Sequence, residues 1–262
     1  MSLTPTSPSR DLSATVRYAL HGRAAVIFLD NPPVNGLGDT VRRGIHEGLA
    51  LAQSDPAVDA IVIIGAGKAF CGGADIRQFN TPAATARPML RDVIAAIEAS
   101  AKPVLAAIHG FALGGGLELA ALCDIRIGGR NSRYGIPVNR IGLTVDHQEL
   151  GDLVRVIGAA RVLEILLEGN IFGADEAMSK GLLSRIVDDE RVAEQAYATA
   201  RRIAAAAPLV NRWHKRFVGQ LREGRPLTDA ERGEAYACFG TEDYRRGREA
   251  FAAKRIPEFI GR

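Results

Sequence analysis

Twice in this chain an apolar run ends in a glycine-rich loop and continues into a helical pattern. The first instance is AIVIIGAGKAFCGGADI, residues 60–76, and the second is PVLAAIHGFALGGGLELAALCDI, residues 103–125. Continuous apolar runs are what strands buried on both faces show. A strand, glycine loop and helix that recur in order call for an α/β core built from consecutive structural turns. The length of 262 residues suits one large domain, or one with a helical appendage, better than two equal ones.

The rest of the chain fits around these units. TVRYAL and AAVIFLD read as strands separated by the turn-like His21 and Gly22, and NPPVNGLGD reads as loop. Asp39 is positioned to cap a helix over 40–54, where Val41, Ile45, Leu49 and Ala52 follow helical spacing. A helix is expected over 83–99, and strands at DIRIGG and SRYGIP. From about residue 147 the pattern is helical, interrupted by the strand LLSRIV, and the alanine- and charge-rich end reads as packed helices.

Charge and cysteine usage exclude several classes. A net charge of +3 is too weak to argue for nucleic acid. The basic stretch NRWHKRF reads more simply as a solvated amphipathic helix than as an RNA contact. Cys71, Cys123 and Cys238 form no CxxC and sit in apolar surroundings, which suggests reduced packing residues and a cytoplasmic setting. The start MSLTPTSPSR has no apolar signal core, and no run approaches the roughly 18 apolar residues of a membrane span. The five histidines include no HxxxH pair, so no metal is expected.

The glycine loops fit no phosphate or nucleophile motif. Gly65, Gly67 and Lys68 lack P-loop spacing, neither cluster makes a dinucleotide fingerprint, and GxSxG is absent. Exposed backbone amides remain. Two loops converging could form an oxyanion hole, worth about 3 kcal/mol of transition-state stabilisation per donor. Close helix–strand packing explains glycines equally well, and both readings stand on composition alone.

AFCGGADI followed by HGFALGGGLELAALCDIRI closely resembles the enoyl-CoA hydratase/isomerase (crotonase) family. LDNPPVNGLG, YGIPVNRIGL and FGTEDYRRGREAFAAKR extend the likeness over nearly the whole chain. The resemblance implies a spiral of repeated ββα units over 1–195 and a C-terminal helical region over 196–262 that builds trimers or hexamers. It implies an acyl-CoA substrate, with CoA carried by the substrate and no separate cofactor. The thioester oxygen would be held by the amides of Gly72 and Gly115. Gly72, Gly73, Ala74 and Asp75 would line the CoA site, and Phe239, Phe251 and Lys254 would reach the CoA or acyl part from the terminal helices.

Glu118 is the one charged residue between His109 and Asp124. Its helix is apolar on nearly all sides and should be buried, so the carboxylate must be paired, hydrogen-bonded or partly neutral. A first-turn position favours the anion while burial disfavours it, leaving a carboxyl able to exchange protons near neutrality. In family hydratases the matching glutamate activates water. The family's second glutamate falls at Val138 here, which cannot transfer a proton. Asp146 matches an aspartate of related dienoyl-CoA isomerases and 3-hydroxyisobutyryl-CoA hydrolases and is the expected substitute; an ordinary helix N-cap is the alternative. His147, Glu149 and Asn139 are weaker candidates. The resemblance therefore implies a hydratase or double-bond isomerase. Thioester hydrolysis, decarboxylation and acyl-CoA binding without turnover remain open.

Overall fold

The computed structural model describes residues 7–262. The chain begins with β1 (Arg10–Ser13), β2 (Val16–His21) and β3 (Ala24–Leu29), followed by α1 (Asp39–Ser54) and β4 (Ala60–Gly65). Then come α2 (Leu90–Ala99), β5 (Val104–Ile108), β6 (Phe111–Leu113), α3 (Gly115–Ala121), β7 (Ile125–Gly129) and β8 (Arg133–Gly135). The remaining elements are α4 (His147–Ile157), α5 (Ala159–Glu168), β9 (Phe172–Gly173), α6 (Ala174–Ser179), β10 (Arg185–Val187), α7 (Val192–Ala204), α8 (Pro208–Arg222), α9 (Asp229–Glu234) and α10 (Glu242–Ala252).

The described residues hold a seven-stranded sheet in the order β1-β2-β3-β4-β5-β7-β10. It is antiparallel from β1 to β3 and parallel from β3 onward. Every residue of β4 and β5 is buried, as their unbroken apolar runs require. Alternation along the strands sorts their side chains onto two faces. Ile27, Ile61, Ile63, Val104 and Ala106 face one core, with Val41, Ile45 and Leu49 of α1 and Val93, Ile94 and Ile97 of α2. Val26, Val62, Leu105 and Ala107 face the other, which α7 closes with Val192, Ala196, Tyr197 and Ala200.

Because β4 and β5 are parallel neighbours, the loops after them emerge on the same side of the sheet. A small second sheet, β6-β8-β9, lies there, and Cys71 of the first loop forms a parallel bridge to Ala112 of β6. This arrangement places the two glycine loops side by side.

Three expectations need correction. Gly38, not Asp39, is the N-cap of α1; Asp39 is its first residue and pairs with Arg43. The helix expected over 83–99 begins only at Leu90, after two short 3-10 turns, and Pro88 accounts for the late start because it disfavours helix in the residue before it. Strands β1, β6 and β9 were not foreseen. The expected division at 195/196 falls within α7, which packs in the sheet's second core.

Candidate active site

The first glycine loop and β6 are joined as a short ladder: the Cys71 N–H donates to the Phe111 carbonyl (2.9 Å) and the Leu113 N–H to the Cys71 carbonyl (3.0 Å). Contact this close is where glycine is needed. Gly73 has φ +93°, and a Cβ on it would stand 2.6 Å from the Leu113 carbonyl oxygen. Asn35, buried with φ 54°, holds the facing loop. Its amide nitrogen donates to the carbonyls of Ala66 (3.0 Å) and Ala69 (2.7 Å), and its oxygen accepts from the Asn31 N–H (2.9 Å).

These contacts decide which amides are free. The Gly72 N–H donates to the Val34 carbonyl at 2.7 Å, so it is not available as an oxyanion donor; that expectation is corrected. The Gly73 backbone lies beside the Cys71 thiol and partly offsets the rise that burial imposes on it. The next amide in the loop is that of Ala74. Among the described residues the N–H groups of Ala74 and Gly115 have no partner; Gly115 opens α3, where helix geometry leaves its N–H unpaired.

Ala74 and Gly115 line one cavity of about 230 Å³ together with Asp75, Glu118, Val138 and Glu149. Glu118 is 3% exposed, and its carboxyl has no hydrogen-bond or ion-pair partner among the described residues. Burial pushes its carboxyl up to about 8, and the charges of Glu149, Asp146 and Asp152 push the same way. Its place in the first turn of α3 would favour the anion, but desolvation and three neighbouring carboxylates outweigh that. Val138 presents an apolar side chain to the same cavity.

Asp146 is exposed and caps α4, accepting from the N–H groups of Gln148 (2.8 Å) and Glu149 (2.9 Å). It is not part of the cavity wall. In the first turn of α4, half-buried Glu149 is part of that wall, and burial followed by the Asp146 charge raises its carboxyl above the usual range, opposed by Arg91. The two carboxyl side chains Glu118 and Glu149 thus line one cavity, and Asp146 does not.

Other foreseen residues lie elsewhere. Gly72 and Gly73 shape the loop without lining the cavity. Phe239 and Lys254 are exposed on the terminal segment, and Phe251 lines a separate groove with Val210, Tyr244 and Phe259. A larger cleft between α8 and the sheet, about 910 Å³, contains neither the free amides nor Glu118. The cations of NRWHKRF are engaged internally, Arg212 with Asp59, Lys215 with Asp124 and Arg216 with Glu234. Cys71 and Cys123 are buried thiols pushed up to about 12 by burial, suited to packing rather than chemistry. No group of metal-ligating side chains occurs among the described residues, and none of their helices is long and apolar enough to cross a membrane.

Residues 21–262 match the family model described as enoyl-CoA hydratase/isomerase. The chain belongs to that family. Its enoyl-CoA hydratase/isomerase fold is shared with a crystal structure from Magnetospirillum magneticum described as an enoyl-CoA hydratase/carnithine racemase, at 40% identity and a TM-score of 0.91 over 97% of each chain. The crotonyl-CoA hydratase of Syntrophomonas wolfei is 35% identical over 92% of this chain and 95% of its own length. A peroxisomal bifunctional enzyme of Danio rerio is 43% identical over 66% of this chain, and that match covers 24% of the longer protein. Membership makes the chain an enzyme of the hydratase/isomerase class. It leaves Val138 as a departure from the family's expected pair of glutamates, with Glu149 brought into the same cavity by α4.

Proposed function

We propose that the protein acts on an acyl-CoA thioester, either adding water across a double bond conjugated to the thioester carbonyl or shifting a double bond into conjugation with it. The observation that carries this reading is a buried, partnerless carboxyl sharing a cavity with two partnerless main-chain N–H groups. The Ala74 and Gly115 amides bind the thioester oxygen and stabilise it most strongly when it becomes an enolate oxygen, which is where oxyanion donors accelerate reaction.

In hydration, one carboxylate takes a proton from water as the water oxygen bonds to C3. The enolate formed then collapses as the other carboxyl delivers a proton to C2. In isomerisation a carboxylate removes a proton from C2 of a 3-enoyl thioester, and a carboxyl returns one to C4. Glu118 and Glu149 are assigned these roles. Coenzyme A enters as part of the substrate. Assembly into trimers or hexamers through the terminal helices would bring Phe239, Phe251 and Lys254 to a neighbouring copy's CoA site.

Wild type and variants should be compared on 2-enoyl-, 3-enoyl- and 3-hydroxyacyl-CoA esters. Glu118→Gln and Glu149→Gln are each expected to lower kcat by about 10²-fold or more, the usual worth of a positioned acid or base. Asp146→Asn should keep kcat within a few-fold. Full activity in Glu118→Gln would sink the reading, and a silent Glu149→Gln beside an inactive Asp146→Asn would return the second role to Asp146.

A further inference from the structure

No residue from 74 to 92 is buried, although Gln78, Phe79, Ala84, Met89 and Leu90 of this stretch wall the Glu118 cavity. Of these only Leu90, at the far end, packs against the core, so the rest of the wall keeps its position through polar tethers rather than burial. Three of its carbonyls are held by one side chain. Arg42 of α1, 7% exposed, donates from Nε to the Pro88 carbonyl (2.9 Å) and from Nη2 to those of Ala83 (2.9 Å) and Ala86 (3.1 Å). Its Nη1 donates to the Leu37 carbonyl (2.9 Å).

Burying a guanidinium is costly unless its donors are satisfied, and here carbonyls rather than a carboxylate satisfy them. A planar fork can reach several acceptors at fixed angles, which a lysine cannot do. The same helix grips the near end of the wall. The Asp39 N–H donates to Gln78 Oε1 (3.0 Å), and Gln78 Nε2 donates to Asp39 Oδ1 (3.1 Å). Because α1 is fixed in the core through Val41, Ile45 and Leu49, it is a rigid reference for the wall.

We propose that Arg42 is a positioning residue that determines acyl-chain specificity. By tying Ala83, Ala86 and Pro88 to α1, it sets how far Phe79, Ala84 and Met89 stand from Gly115 and Glu118. That distance sets the length of apolar acyl group the cavity accepts. The inference rests on the acyl-CoA reading above.

The test measures kcat/KM for a homologous series of 2-enoyl-CoA esters, short to long, in wild type, Arg42→Gln and Arg42→Lys. Hydrogen–deuterium exchange over residues 78–90 is followed in the same proteins without substrate. In Arg42→Gln the preference between the ends of the series should move toward long chains by about tenfold or more, the scale on which apolar pockets discriminate by a methylene. Exchange should quicken over 78–90 and stay unchanged in β4 and β5, with Arg42→Lys intermediate in both readouts. An unchanged chain-length profile, or an equal loss on every ester with faster exchange throughout the core, overturns the proposal. Wild type inactive on every ester sinks the acyl-CoA reading and the specificity role with it, while exchange still reports whether the tether exists. Should Arg42→Gln fail to fold, Gln78→Ala releases the other grip, with the same outcomes expected.

Discussion

At the scale of single residues, Glu118 couples the chemistry to stability. Its carboxyl is raised from an ordinary 4.5 to about 8 in the folded chain, first by burial and then by the neighbouring carboxylates. Between those values the native state holds a proton that the unfolded chain has released, so folding stability falls as pH rises through that window. Glu118→Gln removes this dependence. Relative to wild type, the variant should gain on the order of a few kcal/mol between about pH 5 and pH 9, read from urea unfolding at both ends. A constant difference across the range would mean that Glu118 titrates normally. The need for such a carboxyl was legible in the sequence, since an acid amid glycine, alanine and leucine can only be buried or paired. Which amide stands beside it was not legible. That choice between Gly72 and Ala74 is made by the Val34 carbonyl, brought in by a loop distant in sequence. Arg42 did leave a signal: helical spacing places it on the buried side of α1 with Ile45 and Leu49.

At the scale of elements, the repeated strand, loop and helix was readable because β4 and β5 are buried on both faces and carry unbroken apolar runs. Strands β6 and β9 were hidden because they span three and two residues, too few for any periodicity to register. Yet β6 is the piece that binds the two loops together, through its ladder with Cys71. Gly73→Ala tests that junction. The new methyl would press on the Leu113 carbonyl at a left-handed φ, combining overpacking with backbone strain. A loss of about 1–3 kcal/mol in stability is expected, accompanied by a fall in kcat as Ala74 and Gly115 move apart. If kcat on an enoyl-CoA ester survives while stability falls, the alignment of the two loops does not govern catalysis.

For the whole molecule, the open question is what the terminal helices cover. The only buried residue of α8 is Pro208, and polar pins tie the helix to α2 and to the turn before β7: Lys215 Nζ on the Ile97 carbonyl (2.9 Å) and on Asp124 (2.8 Å). Beyond it, Phe239, Phe251 and Ile256 are 59%, 87% and 92% exposed. Helical patterning revealed these segments, but side chains this exposed belong to no core of the chain's own, so the pattern carries no sign of their role. Exposed apolar side chains of this size on one terminal segment suit an interaction surface, which the proposed assembly would supply from a second copy. Burying one such side chain is worth about 1.5–3 kcal/mol, so replacing two should weaken a subunit contact by two or more orders of magnitude. Sedimentation equilibrium on wild type and on Phe251→Asp/Ile256→Asp separates the cases. Wild type is expected as a multiple of the 28.0 kDa chain, and the double variant as a single copy that retains the wild-type far-ultraviolet circular dichroism. If the double variant sediments as wild type does, these side chains make no subunit contact, and the terminal helices have no part in a neighbour's CoA site.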